Sequence, residues 1–540
     1  MSPLISDDAV RLVRSLFAGR SLLDRVRRRD PRIAVLRQIV DSREVGVVPD
    51  LLMLLAADAA LVPHVARTIA DLVGNATPAQ LSWLDEQVRH GSYAHYWTNA
   101  WRTLAPEAIS RLAQAHGFDA SVVGLVASHP NGFVRAAALE VLARQTSGQE
   151  IPYLSLRAND WVDSIAARAR ELLISRLRPD NRQTVLDALP FIVRVPARQR
   201  RDHREIARAF TAVLLADGGE DALARHRAFD TPVRRAMYEL LTAGGAVSER
   251  VLRAGLTDAD PVIRARAIRS VAADPAFEDR GAILEGFLRD DPVPAVRRLT
   301  LTLLSQHVPE RIAAVFPHVL LDRAASVRGL ARFVAGTHHV AVIPRAVYIE
   351  ALVGRTPAGP AAAIEGVGET GTSEDADLVA PFLSGNRPRI RRAAVRALAT
   401  LDAERARAAA IAALSGDAAS VRAAAVHVLS RTARGVDFDL VHRRVRAHSD
   451  PRARRNLLRV FLAAPKWEAP AFLLEALTDP DDGVRSFAAR LVGRWVDTFN
   501  RNQTQPTAQQ LQRLGALLDL VASRMPEDTA KMLRFSITPR

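Results

Sequence analysis

Arginine is the residue type in this sequence whose clustering suggests chemistry. Three clusters stand above the background, in residues 194–208, 387–396 and 442–459. The planar guanidinium group presents several N–H donors at once, which suits the oxygens of phosphates. The alternative is that these arginines pair with acids inside the fold or form a solvated outer face. The arginines that we predict to bind a polyanion are Arg198, Arg200, Arg201, Arg204, Arg387, Arg389, Arg392, Arg443, Arg444, Arg446, Arg452 and Arg455.

A group of aromatic residues near position 90 forms a second candidate site. Such rings could build a cage for a nucleobase or a peptide. Trp97 and Trp101 are four residues apart, however, and this spacing favours one buried face of a helix. The members of this candidate patch are Trp83, Tyr93, Tyr96, Trp97 and Trp101.

No motif of the sequence indicates catalysis. Walker, HExxH and GxSxG patterns do not occur. Residues 366–371 match G-x-G-x-x-G, but a dinucleotide site needs a preceding strand, and residues 361–365 have a helical pattern. We interpret these glycines as the end of a helix between repeats. No catalytic residue, cofactor or metal site is predicted, and an enzyme is the less favoured class.

The elements that carry these residues repeat along the chain. A hydrophobic residue followed by arginine recurs at spacings of about 31 residues or simple multiples, which indicates a helical repeat array. In one unit, Asp260 and Pro261 provide helix-start chemistry, because the carboxylate caps free amides and proline fits the first turn. The pairs are Val134-Arg135, Val233-Arg234, Ile263-Arg264, Val296-Arg297, Val327-Arg328, Ile390-Arg391, Val421-Arg422 and Val484-Arg485.

Each unit therefore reads as a hairpin of two helices, A and then B, with the Asp-Pro turn between them. One hairpin cannot bury its apolar face alone, so neighbours must stack. We predict an all-α fold, an α-solenoid of stacked hairpins forming a superhelix. Residues 1–30 are expected to be a capping helix, 31–500 about 15 repeats that diverge near 170–230 and 335–375, and 501–540 terminal capping helices.

These motifs resemble the HEAT-repeat family, especially its short bacterial, phycobilin-lyase-like form. The resemblance implies that the Asp and Arg positions form a polar ladder between repeats, with structural roles. It says little about function. The matching residues are Asp260-Pro261 with Ile263-Arg264, Asp291-Pro292 with Val296-Arg297, Asp450-Pro451 with Arg454, and Asp479-Pro480 with Val484-Arg485.

Composition limits the function classes further. The 540 residues include no cysteine, which excludes disulfides, thiolate nucleophiles and cysteine-bound metal clusters. The net charge is +15, and lysine occurs only at Lys466 and Lys531. This charge favours anionic partners, although a GC-rich genome would also explain the preference for arginine. No secretory signal or apolar run of membrane-spanning length is visible, so we expect a cytoplasmic protein without a membrane partner.

The leading expectation is a non-enzymatic scaffold that binds a protein partner on the concave or edge surface of the solenoid. The alternative is a nucleic-acid-binding protein that uses the arginine clusters. Some DNA alkylpurine glycosylases use HEAT-like repeats with Trp, Tyr and Asp around the lesion. Trp161 and Asp163 resemble that site only faintly, and the activity is not carried over. The sequence gives no oligomeric state.

Overall fold

The computed structural model describes residues 5–17, 30–91, 99–193, 204–216, 219, 222, 226–242, 247–354, 360–416, 418–431, 433–499 and 504–538. Contacts divide the chain into two units, Met1–Phe277 and Glu278–Arg540. Within the described residues of both units the regular structure is helical and no strand occurs. The predicted all-α class is therefore confirmed. No helix in these ranges is long and apolar enough to cross a bilayer.

The first unit is built from short and medium helices. They are α1 (Asp7–Leu16), α2 (Arg32–Ser42), α3 (Val48–Ala57), α4 (Val62–Val73), α5 (Pro78–His90), α6 (Asn99–Arg102), α7 (Pro106–His116), α8 (Ala120–Val126), α9 (Gly132–Ala143), α10 (Ile151–Arg157), α11 (Asp163–Arg176), α12 (Arg182–Asp187), α13 (Leu189–Ile192), α14 (Arg204–Leu215), α15 (Thr231–Thr242), α16 (Glu249–Leu256) and α17 (Pro261–Ala273).

The second unit is a regular alternation of A and B helices. Its helices are α18 (Arg280–Asp290), α19 (Pro294–His307), α20 (Ile312–Leu320), α21 (Ala325–Thr337), α22 (Pro344–Val353), α23 (Pro360–Thr370), α24 (Ala376–Val379), α25 (Pro388–Leu401), α26 (Ala403–Ala413), α27 (Ala419–Arg431), α28 (Phe438–Arg446), α29 (Pro451–Leu457), α30 (Ala469–Ala476), α31 (Asp482–Thr498), α32 (Ala508–Val521) and α33 (Glu527–Ile537).

Helices of the second unit stack in two layers. The odd-numbered B helices contact one another in succession from α19 to α33. The even-numbered A helices contact their own B helices, and neighbouring A helices touch at α18–α20, α20–α22 and α30–α32. Stacked hairpins bury faces that one hairpin alone would expose. The predicted solenoid of hairpins is the architecture observed within this unit.

Local sequence explains where the B helices begin. The Asp260 carboxylate accepts from the amides of Val262 at 3.0 Å and Ile263 at 3.2 Å, and Pro261 takes the first turn. Asp450 caps α29 in the same way, through the amide of Arg452 at 2.9 Å. A cap of this kind contributes about 0.5–2 kcal/mol to helix stability. The Asp-Pro start signal is therefore confirmed at these helices.

The hydrophobic residue of each repeated pair lies in the core. Ile263, Val296 and Val421 are all buried, as the repeat register predicted. Burying such a side chain stabilises the fold by roughly 1.5–3 kcal/mol. The B helices are therefore held in register by their hydrophobic anchors, and the residues beside each anchor have fixed positions on the helix surface.

The divergent region around residues 335–375 is held by a different set of acids. Arg328 occupies the usual arginine position in α21, but its guanidinium contacts Glu365 at 2.9 Å and also Glu369, both on α23. Arg332 contacts Glu369 at 2.6 Å. Glutamates on the next B helix thus replace an aspartate in the turn, which explains why the sequence pattern weakens here.

Candidate polyanion interface

A ladder of arginine–aspartate pairs joins successive hairpins. Arg297 contacts Asp322 at 2.6 and 2.7 Å, and Arg454 contacts Asp479 at 2.8 Å, in each case 25 residues further along. Each arginine also donates to the carbonyl oxygen six residues before it, at 2.6 Å for Arg297 and 2.8 Å for Arg454. The ladder expected from the family resemblance is therefore present, and these arginines have structural partners.

The surroundings of the ladder carboxylate Asp479 favour its ionised form. Burial alone would raise the pKa of the Asp479 carboxyl, but the hydrogen bond and charge of Arg454 hold it below its ordinary value. A charged pair with two direct hydrogen bonds is stronger than a neutral one. The guanidinium of Arg454 is therefore engaged inside the fold and is not available to a ligand.

The ladder arginine also marks one fixed position in each B helix. In α25, α27, α29 and α31 these markers are Arg391, Arg422, Arg454 and Arg485. Arg391 and Arg485 donate to the carbonyl six residues earlier, as Arg454 does. Positions counted from the markers are therefore equivalent, and on stacked helices equivalent positions lie in rows.

Three rows of surface positions follow from this register. They lie two residues before, one after and five after each marker, and we call them the arginine rows. All members are exposed except Arg392, which is half-buried. From α25 to α31 the first row is Arg389, Ser420, Arg452 and Gly483, the second is Arg392, Ala423, Arg455 and Ser486, and the third is Arg396, His427, Arg459 and Arg490.

The row arginines lack acidic partners within the described parts of the chain. Arg389, Arg396 and Arg455 form neither a hydrogen bond nor an ion pair there, in contrast to the ladder arginines. The sequences of α25, α27 and α29 contain no Asp or Glu. These guanidiniums are thus charged donors whose hydrogen-bonding capacity is left to solvent or to a ligand.

At the far end of the third row, two arginines share one aromatic ring. The guanidinium of Arg459 lies 5.4 Å from the centre of the Phe487 ring, and that of Arg490 lies 5.2 Å from it. Both distances are within the range of cation–π attraction. This contact links Arg459, in the helical turn that continues α29 (Leu458–Ala463), to Arg490 on α31, and it orders two side chains without neutralising their charge.

The structure divides the third predicted cluster between two layers. Arg452 and Arg455 lie on the B helix α29, whereas Arg443, Arg444 and Arg446 lie on the A helix α28. Arg444 reaches back to the preceding hairpin, where it donates to the Ser415 hydroxyl at 2.9 Å. These arginines are close in the sequence, but they belong to two different layers of the fold and do not form one cluster.

The remaining predicted arginines do not extend the rows. Arg387 is exposed in the turn immediately before α25, beside Arg389. Arg204 is exposed at the start of α14 in the first unit. Arg198, Arg200 and Arg201 lie outside the described residues.

The aromatic candidates do not form an exposed cage in the described part of the chain. Trp101 is fully buried, and its ring packs against His129 with centroids 4.7 Å apart. Trp83 is half-buried against the core. The interpretation of Trp101 as core is thus supported. Tyr93, Tyr96 and Trp97 lie outside the described residues.

A buried charge network in the first unit was not anticipated from the sequence. The Asp160 carboxylate accepts from Arg135 at 3.1 Å, Arg157 at 3.0 Å and Arg89 at 3.5 Å. Asp85 accepts from Arg89 at 3.0 Å and from Arg157. Burial alone would raise the pKa of both carboxyls, but the arginine charges lower it. Burial lowers the pKa of Arg157 to about 10 despite these acids.

Trp161 covers this network at the surface. Arg89 lies 4.4 Å and Arg135 4.7 Å from the centre of its indole ring, which is 48% exposed. Both arginines are already bonded to carboxylates, so the ring adds a cation–π contact to a closed set of ion pairs. The site is structural in character and differs from the arginine rows, where carboxylates are missing.

A half-buried histidine lines a cavity of about 200 Å³ in the second unit. His442 packs on the rings of Phe461 and Phe472, at 5.7 and 5.2 Å, and its Nε2 lies 3.4 Å from Glu475. Glu475 also accepts from Arg513 at 2.8 Å. Burial lowers the pKa of His442 although Glu475 acts in the opposite direction. The fold thus favours the neutral imidazole.

The glycine-rich stretch near residue 366 is part of a helix, so the interpretation of these glycines as a helix end is wrong for Gly366 and Gly368 and is confirmed only for Gly371. Gly366 and Gly368 lie within α23, and the residue after its last turn is Gly371. A side chain at Gly366 would collide with the ring of Tyr348, and one at Gly368 would meet the backbone of Ala397 at 2.6 Å. These glycines allow close packing of helices, and the structure gives no strand context for a dinucleotide site within the described residues.

Comparison with known proteins adds little beyond architecture. No protein-family profile and no curated protein matches the sequence. A structure of Kap95p with RanGDP is similar at 12% identity with a TM-score of 0.37, covering 85% of this chain and 66% of that one. Importin beta is similar at 13% identity and a TM-score of 0.30, covering 98% and 67%.

A structure of the Pds5–Scc1 complex is similar at 11% identity and a TM-score of 0.26, covering 85% of this chain and 67% of that one. This chain therefore spans about two thirds of the length of these three structures. The identities and TM-scores are too low to support an argument about partners. The fold assignment rests on the stacked hairpins described above.

Proposed function

We propose that this chain is a non-enzymatic binding protein that holds a nucleic acid by its phosphate backbone on the arginine rows of the second unit. The observation that carries the proposal is the repetition of unpaired arginines at equivalent positions of α25 and α29. Arg389 corresponds to Arg452 and Arg396 to Arg459, which lies in the helical turn that continues α29, and neither α25, α29 nor that turn contains an acid. Phosphates would supply the missing negative charge.

A protein partner, which the sequence favoured, would need an acidic segment to satisfy the same donors. A regular surface of this kind suits a polymer that carries one charge at every step, because each row then meets phosphates in succession. Arginine also binds phosphate with two donors at once, which lysine cannot do. The rows therefore favour nucleic acid over a folded protein, and an acidic polypeptide is the competing ligand in the test.

The test compares two triple variants with the same change in net charge. Arg389→Glu, Arg396→Glu and Arg455→Glu together reverse exposed row positions and leave the ladder intact. Binding of labelled DNA and RNA is measured by fluorescence anisotropy at several salt concentrations. We expect the slope of log affinity against log salt to fall by roughly three, about one for each lost phosphate contact.

The matched control is Arg111→Glu, Arg289→Glu and Arg434→Glu, three exposed positions outside the rows. It should bind nearly as the wild type does, because general charge loss affects binding less than loss of direct contacts. Equal loss in both variants would contradict a localised site. No nucleic-acid binding by the wild type at low salt, with binding of polyglutamate instead, would replace the proposal by an acidic protein partner.

A further inference from the structure

We infer that the nucleic acid held by the arginine rows is a duplex, seated in a channel between two ridges; this rests on the proposed function. The first ridge runs along α25 and the second along α29 and the helical turn that continues it, Leu458–Ala463. In the first ridge the arginines follow the spacing i, i+3, i+7 on one α-helix, which places them on one helix face. The second ridge has the same spacing, with Arg452 and Arg455 on α29 and Arg459 in the 3-10 turn that follows it. The ridges are Arg389, Arg392 and Arg396, and Arg452, Arg455 and Arg459.

The helix between the ridges forms a low floor. On α27 the equivalent positions are Ser420, Ala423 and His427, and all three are exposed. Ser420 and Ala423 are short side chains, whereas an arginine extends well beyond the helix surface. Alternation of long and short residues on adjacent helices therefore gives a positively lined channel, open to solvent, with no acid on any of its three helices.

The dimensions of the channel suit two parallel backbones. Packed helices lie about 8–10 Å apart, so ridges on alternate helices are separated by roughly 16–20 Å. A major groove is about 12 Å wide and is bounded by a backbone on each side, so each ridge can meet one backbone. Along a ridge, seven residues rise about 10 Å. Phosphates of one strand lie about 3.4 Å apart along the duplex axis and farther apart along the strand itself, so a ridge can meet about two to three phosphates of one backbone.

A single strand fits this surface less well. It has one backbone, so a strand that follows one ridge leaves the other without phosphates. Single-strand binders also use exposed aromatic rings on which bases stack. Among the described residues of α25, α27, α29 and α31, the aromatic side chains are His427, exposed on the floor, Phe487, half-buried between arginines, and Trp495, which is buried. The channel thus offers charge on two sides and no exposed Phe, Tyr or Trp on these helices for bases to stack on.

The test places a negative charge on the floor while keeping every arginine. Ala423→Glu lies between Arg392 and Arg455 in the second row, and it should weaken duplex binding by about tenfold or more through like-charge repulsion. Ala423→Gln adds similar bulk without charge. Ala412→Glu adds the same charge to an exposed alanine of α26, in the A layer of the same hairpin. We expect these two variants to bind as the wild type does.

Anisotropy titrations use a duplex and the single strand of the same sequence, at low and near-physiological salt, and we expect the wild type to prefer the duplex. Equal or tighter binding of the single strand would overturn the duplex inference and leave the proposed function standing. Equal affinities of Ala423→Glu and Ala412→Glu would overturn the channel. If neither nucleic acid binds at low salt, the proposed function itself fails, and the inference falls with it.

Discussion

Exposed arginines have acidic partners on a surface of the first unit and lack them on a surface of the second. In the first unit, Arg168 on α11 contacts Glu140 on α9 at 2.8 and 3.1 Å and Glu171 of its own helix at 2.8 Å. Glu140 lies five residues after the ladder arginine Arg135. In the second unit that same position, on α25, is held by Arg396, which has no acidic partner among the described residues.

The difference shows that the number of arginines does not decide whether a surface is structural or a candidate site. What decides is the residue type at the equivalent position of the neighbouring B helix. Where the equivalent position is glutamate, as at Glu140, an outward arginine is neutralised across the hairpins. Where it is arginine, as at Arg396 and Arg459, positive charge accumulates along the row. Accumulated charge of one sign is what raises the local concentration of an anionic partner.

The largest expected effect is the loss of stability when an aspartate of the arginine–aspartate ladder is removed. This loss should differ between the two units. The Asp160 side chain is fully buried and accepts from three arginines, whereas that of Asp479 is 13% exposed and pairs with Arg454. We expect Asp160→Ala to destabilise the first unit by about 3–5 kcal/mol, because buried arginines lose their counter-charge. Asp479→Ala should destabilise the second unit by about 1–3 kcal/mol.

Hydrogen exchange of the amides in α5, α10 and α11, together with urea unfolding, measures this difference. In an array the damage can stay near the altered hairpin, so local exchange is the more direct observable. Asp160→Asn is the control, since it keeps the size of the side chain and removes its charge. Similar losses for Asp160→Ala and Asp479→Ala would show that the two ladders are energetically alike.

The fold was predictable because its signals are local. Ile263 and Arg264 recur with the repeat period, and helix-start residues stand directly before them, so burial of the anchor and the position of the B helix both follow from short-range pattern. The partner of a ladder arginine can also be predicted from the sequence, as with Asp322 for Arg297. The number of residues between the two partners is nearly constant from repeat to repeat.

The arrangement of the candidate site was only partly predictable. The sequence analysis placed Arg443 and Arg455 in one cluster because they are close along the chain. In the structure a turn follows α28, so Arg443 lies in the A layer and Arg455 in the B layer. The rows become visible only when positions are counted from the ladder arginine, and that count also finds Arg490. The contact of Arg157 with Asp85 spans 72 residues and has no signal in the sequence.

A smaller effect concerns pH and two histidines, His129, which is buried in the first unit, and His442, which is half-buried in the second. Burial lowers the pKa of His442 in the second unit and of His129 in the first. The unfolded chain, with a histidine pKa of about 6.5, then binds more protons than the folded chain. Stability is complete above that pH and is lost as the pH falls through 6.5 toward the lower pKa of the folded state.

Urea unfolding at about pH 7.5 and about pH 5 measures this loss, and His442→Gln should reduce it in the second unit. The charges that face His442 are Glu475, Arg446, Arg513 and Asp439. If His442→Gln leaves the pH dependence unchanged, protonation of this imidazole does not limit stability. The same substitution should leave the exchange of amides near His129 unaffected, which localises the effect.

The smallest expected effect removes the acids that neutralise Arg168. Glu140→Gln with Glu171→Gln breaks exposed ion pairs, so unfolding should change by less than about 1 kcal/mol. Nucleic-acid affinity should stay near the wild-type value, because one released arginine has no companions at equivalent positions of the neighbouring helices. The paired measurements are thermal unfolding and the salt dependence of duplex binding. A large gain in affinity would mean that local pairing alone, and not the arrangement of arginines in rows, decides where the chain binds anions.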